Sequence, residues 1–493
     1  MELRIKFLKW STGMLGAMLH KKTADKIGVQ SRDRISIKKA GGKDGEIFTF
    51  VNTIDGLIKE NEIAISSETK ERINLKNGQR VEVRLAESPK SVLYIKKKVD
   101  GKKLSEKEIR SIIIDVVDNS LGETEIALFV SGMYEKGMTF RETIGLTKAI
   151  LDTGFRVELP YKIIADKHCV GGVPGNRTTP IVVSICAAGG LIVPKNSSRA
   201  ITSAAGTADV IEAIARVDFS PDEIKKIIRK TGACMVHGGG LGMVPADSRI
   251  IQVEKILKID PGAQLLASIM SKKLASGSTH VVIDIPYGKG AKFTEKEALA
   301  LRKKFNKLAK YFKIKIECLL TDGTQPIGNG IGPIFELLDI IKILDPNQDG
   351  PKDLEKKSLL LAGKLFEMTG KANKGEGIAL AEKILDSGKA FEKFKEIIKA
   401  QSGSLRKIKL AKYNHEVFAK KSGKVFEIIN SDLNSIARLA GSPDDKAAGI
   451  YLFYHVGDYV KRGQQLFLIC SESKPRLNQA LEFYKKKKPV KIN

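Results

Sequence analysis

The sequence predicts an α/β protein of several domains: a small N-terminal β-barrel, a helical domain, a central α/β domain with a mixed sheet, and a C-terminal α+β domain. Short segments that alternate apolar and polar residues fill the first 88 positions. Helix-capping patterns followed by apolar residues at helical spacing come next. Apolar strands then alternate with helices, which is typical of α/β architecture. A length of 493 residues suits about three domains.

The N-terminal domain is predicted to span residues 1–88. Strands are expected near residues 34–37, 47–50, 62–65 and 80–84, where side chains alternate and Gly or Asn residues interrupt the pattern. This segment carries no recognisable catalytic pattern, so its expected role is structural.

The helical domain is predicted at residues 95–160, joined by a segment at about 245–276. Ser105 and Glu108 form a capping box, as do Thr139 and Glu142. Gly154 stands where the second of these helices should end.

The α/β domain is predicted at 161–405, interrupted by about 245–276. Apolar strands are expected at 161–165, 280–285 and 315–320, and Ser220 followed by Pro221 marks a helix start. β-strand patterns return over residues 410–493, which predicts the C-terminal α+β domain.

Composition narrows the class of protein. No apolar run reaches the ~18 residues that a transmembrane helix needs, and the N-terminus has mixed charge, so a cytoplasmic protein without a membrane partner is expected. The five cysteines are scattered, which argues against disulfides and a zinc site. The net charge of +27 would suit nucleic-acid binding, but the lysines are spread along the chain and aromatics are only 6%. Nucleic acid is therefore not expected as a partner, whereas small anions are.

The first chemically informative cluster is residues 166–179, D-K-H-C-V-G-G-V-P-G-N-R-T-T. A strand is expected to run into a glycine-containing loop and then a helix. Glycines let backbone N–H groups approach an anion, and a helix N-terminus adds a favourable dipole. Lys167 would add a charge, and Thr178 and Thr179 would add hydroxyl donors. The alternative is an ordinary strand–turn–helix connection, and the spacing is not that of a Walker loop.

The second cluster is residues 197–212, S-S-R-A-I-T-S-A-A-G-T-A-D-V-I-E. Small residues would let a ligand lie against the backbone, while hydroxyls and Arg199 could bind phosphate or ribose oxygens. A Ser/Thr-rich loop that caps its own turns is the alternative.

This second cluster resembles the signature of the thymidine and pyrimidine-nucleoside phosphorylases, and every defined position of that signature fits. The first cluster resembles the same family's D-K-H-S-x-G-G-V loop, in the family's order and spacing. The resemblance runs from about residue 95 to the C-terminus. An added N-terminal domain of this size is similar to that of the family's archaeal AMP phosphorylase branch.

The resemblance implies two sets of ligand-binding residues. Inorganic phosphate would be held by Lys167, Thr179, Ser197 and Thr207. The nucleotide AMP would contact Gly172, Ser198, Arg199, Ala200, Ile201, Thr202, Ser203, Thr207, Ser268 and Lys292. His168 would line the same site and is the second catalytic candidate. Cys169 departs from the family, which has a serine phosphate ligand there, and a thiol is a poorer donor.

Asp260 is the first catalytic candidate. It precedes Pro261 ahead of an expected helix, where the alternative role is an N-cap. The resemblance to the AMP branch implies that this aspartate donates a proton to the base. Pyrimidine-specific members carry a base-reading arginine seven positions earlier, where this chain has Val253. The loop at 287–292, which contains Lys292, would follow a strand end and could meet a second phosphate. The glycine-rich segment 321–332 is expected near the site without an assigned role.

The resemblance therefore implies reversible phosphorolysis of AMP to adenine and ribose 1,5-bisphosphate, with CMP and UMP open as further substrates. A pyrimidine nucleoside phosphorylase is the alternative enzyme, followed by a phosphoribosyltransferase; a nucleic-acid-binding protein is the alternative of another class. Phosphate would be a co-substrate, and no cofactor or metal is expected. The partners would be a nucleoside 5′-monophosphate, phosphate, and further copies of the chain in a homodimer or larger homo-oligomer.

Overall fold

A computed structural model describes residues 1–8, 10–11, 15–41, 46–72, 75–200, 203–238 and 242–493. The chain forms two compact units. Unit 1 comprises Met1–Thr153 and Arg249–Gln264, and unit 2 comprises Gly154–Ser248 and Leu265–Asn493. The finer division into four domains stays a prediction. Within the described ranges, no helix has the length and apolar character that crossing a membrane requires.

Unit 1 begins with a closed six-stranded barrel, which confirms the predicted N-terminal β-barrel. Around the barrel the strands follow the order β1-β5-β2-β4-β3-β6. Alternate side chains such as Leu3, Ile5 and Ile35 fill its interior, as the period-two pattern requires. The elements are β1 (Glu2–Phe7), β2 (Gly16–His20), α1 (Lys21–Ile27), β3 (Arg34–Lys39), β4 (Ile47–Ile54), β5 (Glu62–Ile65), α2 (Ser67–Arg72) and β6 (Arg80–Leu85).

Four helices complete the N-terminal part of unit 1: α3 (Ser91–Val99), α4 (Glu106–Val117), α5 (Glu123–Lys136) and α6 (Phe140–Asp152). Both predicted capping boxes are present, at the starts of α4 and α6. Glu142, the capping residue of α6, also pairs with buried Lys98 at 3.0 Å. The capping signals therefore located the helix starts correctly.

Unit 2 contains two parallel sheets. One has the order β11-β10-β7 and the other pairs β8 with β9. Their strands are β7 (Ala165–Cys169), β8 (Val193–Ser197), β9 (Ala233–His237), β10 (His280–Tyr287) and β11 (Lys315–Asp322). The expectation of a mixed sheet is wrong for these strands. Helical crossover connections return the chain to the edge of the sheet at which the previous strand began, so the neighbouring strands run parallel.

The first strand of unit 2 is also placed differently from the prediction. A strand was expected at 161–165, whereas β7 starts at Ala165 and continues through Asp166, Lys167 and His168. Charged residues are accepted inside this strand because Asp166 is ion-paired with buried lysines. The chemically informative residues therefore lie on the strand itself.

Helices surround these sheets and share a buried apolar cluster that includes Ile181, Ile334, Phe366 and Phe394. The predicted helix start at Ser220 is confirmed, with a capping box to Glu223. The helices are α7 (Thr178–Ala188), α8 (Thr207–Glu212), α9 (Pro221–Thr231), α10 (Pro245–Leu257), α11 (Gly262–Ala275), α12 (Glu295–Phe312), α13 (Pro333–Leu344), α14 (Lys352–Met368), α15 (Gly377–Asp386) and α16 (Lys389–Ala400). Within α10 and α11 the chain passes from unit 2 into unit 1 and back.

The C-terminal segment belongs to unit 2. A four-stranded sheet has the order β12-β15-β17-β13, and a three-stranded sheet has the order β16-β14-β18. Strand β12 comes from the glycine-rich segment predicted at 321–332, so the C-terminal segment holds that segment by backbone pairing. The elements are β12 (Gly330–Ile331), a short 3₁₀ helix (Leu405–Lys407), β13 (Tyr413–Phe418), β14 (Gly423–Ile428), α17 (Asn430–Ala440), β15 (Gly449–Leu452), β16 (Tyr459–Val460), β17 (Gln465–Ser471), α18 (Lys474–Lys487) and β18 (Val490–Ile492).

Candidate active site

A buried charge network lies at the start of β7. The carboxylate of Asp166 pairs with Lys273 Nζ at 2.5 Å and with Lys195 Nζ at 3.5 Å. Although burial favours the neutral acid, the charges of Lys195 and Lys273 lower the pKa of Asp166. Lys195 Nζ also donates to the backbone carbonyl of Lys167 at 2.8 Å. Asp166 and Lys195 therefore fix the strand position from which Lys167 extends.

Lys167 is fully buried, and its ammonium contacts hydroxyl groups. Its Nζ lies 2.5 Å from Thr178 Oγ1 and 3.4 Å from Thr179 Oγ1. Across the described ranges, no carboxylate lies within ion-pair distance of this nitrogen. Burial lowers the pKa of Lys167, because a desolvated cation without a counter-ion is costly. The arrangement is suited to an anion that would supply the missing negative charge.

The start of α7 lies beside this ammonium group. Thr178 and Thr179 are its first two residues, and no described side chain caps it. The first N–H groups of a helix lack partners within the helix, and the dipole there favours negative charge. Lys167, two hydroxyls and a helix N-terminus thus converge, as the first cluster predicts.

Arg177 joins the two sequence clusters. Its Nη1 donates to Thr207 Oγ1 at 3.0 Å and its Nη2 to the carbonyl of Ala205 at 2.6 Å, while Nε pairs with buried Glu336 at 2.6 Å. Thr207 opens α8 and is itself buried. The structure therefore brings Thr207 to the residue that directly precedes Thr178.

Asp209 connects the two described parts of the second cluster's loop, here called the serine loop (residues 197–200 and 203–207). Its Oδ2 accepts hydrogen bonds from the backbone N–H of Ala200 at 2.7 Å and of Gly206 at 2.8 Å. A Cβ at Gly206 would lie 2.6 Å from the backbone nitrogen of Ala200, so a larger residue would force the loop open. Ser203 Oγ donates to the carbonyl of Ala205 at 2.9 Å. Ile201 and Thr202 lie outside the described residues.

The polar atoms that are buried with no hydrogen-bond partner in the part of the chain that is described include Ser197 Oγ, at the end of β8, and His168 Nδ1, on β7. Such atoms are costly unless a ligand or water satisfies them. Burial, followed by the charges of Lys273 and other lysines, lowers the pKa of His168 well below its usual range. His168 is therefore a neutral imidazole at pH 7.

Arg199 lies among carboxylates rather than on a free surface. Its Nη2 lies 2.6 Å from Glu212 Oε1, and further contacts reach Asp209 at 3.5 Å and Asp218 at 3.7 Å. The hydrogen bond from Arg199 lowers the pKa of Glu212 to about 2. The predicted contact of Arg199 with a nucleotide stays a prediction, and any ligand must compete with this bidentate pair.

Cys169 occupies the end of β7. Its Sγ accepts weak hydrogen bonds from the backbone N–H of Gly171 at 3.4 Å and from Asn176 Nδ2 at 3.3 Å. Burial and nearby Asp284 raise the pKa of the thiol to about 11. Asp284 is in turn held by Thr321 at 2.6 Å and by Lys357 at 3.0 Å. Cys169 is therefore a neutral thiol and a weak donor at pH 7.

The loop that carries Lys292 (residues 287–292, here called the lysine loop) packs against the glycine loop of the first cluster. Gly172 has φ +97°, and a Cβ there would lie 2.8 Å from Lys292 Cβ. Glycine is required because the two backbones meet at this point. Lys292 Nζ lies 5.5 Å from the ring centroid of Phe293, and the side chain is half-buried. The prediction that both Gly172 and Lys292 line one site agrees with this proximity.

The remaining predicted residues are distributed as follows. Ser268 lies on α11, where its Oγ accepts a hydrogen bond from Lys272 Nζ at 2.6 Å. Ser198 is half-buried in the serine loop. Asp260 lies in unit 1, in the connection between α10 and α11, and is half-buried. Its catalytic role stays a prediction.

Thr178, which the first cluster offered as a hydroxyl donor, is the nearest partner of Lys167. Sequence reasoning missed two residues that build the site, Arg177 and Glu336. Arg177 connects the two clusters and stands inside the first one, so its position was a usable signal. Glu336, which anchors Arg177, is 159 residues away in sequence and gave no local signal.

Comparison with known proteins identifies the class of enzyme. Residues 92–154 match the family model of the glycosyl transferase family helical bundle domain, and residues 161–391 match that of the glycosyl transferase family α/β domain. The solved structure of anthranilate phosphoribosyltransferase from Thermus thermophilus has a TM-score of 0.53 at 18% identity. It covers 63% of this chain and 99% of its own, and this similarity concerns the fold alone.

Relatives that match over the full length specify the branch. AMP phosphorylase of Thermococcus kodakarensis is 43% identical, covering 100% of this chain and 98% of the relative. AMP phosphorylases of Pyrococcus furiosus, at 42% with the same coverage, and of Methanococcus vannielii, at 39% over 99% and 97%, are similarly related. The chain belongs to the thymidine and pyrimidine-nucleoside phosphorylase family, in its AMP phosphorylase branch.

Proposed function

We propose that the protein catalyses reversible phosphorolysis of AMP, yielding adenine and ribose 1,5-bisphosphate. The observation that carries the proposal is the fully buried Lys167, whose ammonium contacts two hydroxyls beside an uncapped helix N-terminus. A site of this kind is completed by an anion. Full-length relatives are AMP phosphorylases, which supports the choice of AMP as the second substrate.

In the proposed reaction, inorganic phosphate is held by Lys167, Thr179, Ser197 and Thr207. An oxygen of this phosphate forms a bond to C1′ of the ribose while the bond from C1′ to the adenine nitrogen breaks. The departing base takes the bonding electron pair and one proton. The enzyme's main contribution is to hold the nucleophile in place, since positioning alone can lower a barrier by roughly 7–11 kcal/mol.

We assign the proton donor to Asp260 rather than His168. Burial and four lysine charges keep His168 neutral, so it has no imidazolium proton to give at pH 7. A neutral imidazole can still hydrogen-bond to the ribose or phosphate, which would satisfy its buried Nδ1. The assignment of Asp260 rests on the family position and on Val253, which removes the pyrimidine-reading arginine.

The 5′-phosphate of AMP is proposed to lie against Lys292 and the serine loop. Lys292 is the cation that the close approach at Gly172 brings to the glycine loop. Charge-assisted hydrogen bonds contribute about 1.5–3 kcal/mol each. A single such bond would favour AMP over adenosine by about 10- to 150-fold.

A substrate panel tests this function. Release of free base is measured from AMP, CMP, UMP, adenosine, uridine and thymidine, each with and without phosphate. We expect AMP with phosphate to have the highest kcat/KM, and Lys292→Ala to lower the preference of AMP over adenosine. Lys296→Ala, on the exposed first turn of α12, is the matched control and should leave this preference unchanged. Equal kcat/KM for AMP and adenosine would instead assign a nucleoside phosphorylase.

We also propose that the protein acts as a homodimer or larger homo-oligomer, with residues 410–493 as a C-terminal α+β domain. Large apolar side chains are exposed on the helices of unit 1, among them Leu93 at 64% and Tyr134 at 52%. Exposed apolar groups of this size are characteristic of interfaces when they are contiguous. Light scattering of the purified protein gives the mass, and a mass near 54 kDa would contradict the assembly.

A further inference from the structure

Helix α17 of the C-terminal segment contacts both loops to which the nucleotide's 5′-phosphate was assigned. Asn430 is its first residue and Asn434 follows one turn later, so the two side chains lie on one face of the helix. Both are buried, with 1% and 9% exposure. Neither residue belongs to the clusters that the sequence singled out.

Asn430 ties the lysine loop to the neighbouring glycine-rich segment. Its Nδ2 donates to the carbonyl of Gly323 at 2.9 Å and to that of Gly290 at 3.3 Å. Both acceptors are carbonyls, so the amide nitrogen must face them. Gly290 stands two residues before Lys292 and has φ +82°, a conformation that the tether helps to hold.

The lysine loop also has backbone hydrogen bonds at its ends: the N–H of Gly288 donates to the carbonyl of Phe293 at 3.0 Å, and the N–H of Gly323 donates to that of Tyr287 at 2.9 Å. Within the loop, the N–H of Ala291 donates to the carbonyl of Gly288 at 3.1 Å. Lys289 pairs with Glu427 at 2.6 Å, but the lysine side chain is 85% exposed, so this pair contributes little. The buried amide of Asn430 is thus a stronger connection between the loop and the C-terminal segment than the Lys289–Glu427 pair.

Asn434 holds the serine loop as a hydrogen-bond acceptor, whereas Asn430 holds the lysine loop as a donor. Its Oδ1 accepts a hydrogen bond from the backbone N–H of Ala204 at 3.1 Å. Ala204 is buried and follows Ser203 directly. One helix face therefore donates to the lysine loop and accepts from the serine loop.

We propose that Asn430 and Asn434 are positioning residues for recognition of the 5′-phosphate: they hold the lysine loop and the serine loop at the spacing that a nucleoside monophosphate requires. This inference rests on the proposed function. Neither side chain needs to touch the substrate. Because Asn430 acts through the lysine loop, which is assigned to the 5′-phosphate alone, its loss should affect AMP and spare adenosine.

The test compares two matched aspartate variants. Asn430→Asp replaces the donor by an acceptor facing two carbonyls, whereas Asn434→Asp keeps the acceptor for Ala204. Both add one negative charge on the same helix face, so the difference between them isolates the hydrogen bond. We expect Asn430→Asp to raise the KM for AMP about tenfold more than Asn434→Asp does, the scale of one buried unsatisfied group. Asn434→Ala should raise this KM, and Asn434→Asp should restore most of the loss.

Three further readouts separate positioning from general destabilisation. The KM for phosphate and the kcat/KM for adenosine should stay within about twofold of wild type in Asn430→Asp, since an effect confined to the 5′-phosphate leaves them untouched. Combining Asn430→Ala with Lys292→Ala should lower the preference of AMP over adenosine no further than Lys292→Ala alone. Ser435→Ala, on the same helix, is the control that should change nothing.

Equal losses for AMP and adenosine in Asn430→Asp, or no loss for either, would overturn the proposal. If Lys292→Ala lowers the preference for AMP and Asn430→Asp does not, the positioning role of Asn430 is contradicted, whereas the proposed 5′-phosphate site is not. If neither variant changes that preference, the proposed 5′-phosphate site fails together with it.

Discussion

Replacing Lys167 by methionine separates binding from stability, because the two should change in opposite directions. Methionine keeps the apolar stem but removes the buried charge. Two of the three ammonium hydrogens point toward Thr178 and Thr179, which leaves one for phosphate. A hydrogen bond to a charged group is worth about 1.5–3 kcal/mol, so kcat/KM for phosphate should fall about 10- to 150-fold. The same change removes an uncompensated buried cation, so the unliganded protein should be as stable as wild type or more stable.

The assay is adenine release from AMP over a titration of phosphate, with thermal unfolding in the presence and absence of phosphate. Lys357→Met is the contrasting control, because Lys357 is also buried but pairs with Asp284 at 3.0 Å. Breaking that pair should lower stability by about 3–5 kcal/mol. If Lys167→Met kept the wild-type response to phosphate, or lost stability as Lys357→Met does, Lys167 would be a structural residue and the anion site would be misassigned.

Three further predictions concern single side chains. Asp260→Asn should fold normally, as judged by circular dichroism, and lose kcat on AMP by about 10²–10⁴-fold; near-normal kcat would place the proton donor elsewhere. Cys169→Ser replaces a neutral thiol by a better donor and should lower the KM for phosphate about 2- to 10-fold, the scale of one neutral hydrogen bond; an unchanged KM would exclude position 169 from the phosphate contacts. Burial raises the pKa of Asp339 to about 7, so the stability it contributes is complete below its unfolded pKa of about 4 and is lost as pH rises through 7. Asp339→Asn should therefore flatten the fall in unfolding free energy between pH 4 and pH 8 in urea titrations, and an unchanged slope would contradict the raised pKa.

Local patterns in the sequence predicted the elements that depend on local physics. The alternation of apolar and polar side chains predicted the barrel. The capping residues Ser105, Thr139 and Ser220 predicted helix starts that the structure confirms. These signals are reliable because a cap satisfies backbone groups within a few residues of itself. The start of β7 was predicted too early, because Asp166 and Lys167 look like loop residues until their distant partners are known.

Most of the candidate site depended on contacts that sequence spacing does not reveal. Lys273 meets Asp166 across 107 residues, and Glu336 meets Arg177 across 159. Asn434 reaches the serine loop across 230 residues. Such pairs are created by the topology of the parallel sheets and by the C-terminal segment. The family resemblance supplied the predicted ligand-binding residues, whereas the structure supplied the groups that contact them.

The most direct test of the account is the phosphate dependence of base release from AMP. Free adenine is measured in phosphate-free buffer and over a phosphate titration, while phosphorus NMR follows the sugar product. The account predicts that adenine appears only when phosphate is present, with one new phosphate ester at C1′ for each adenine released and the 5′-phosphate retained. Equal release of adenine without phosphate, with ribose 5-phosphate as the product, would show a hydrolase and contradict the central claim.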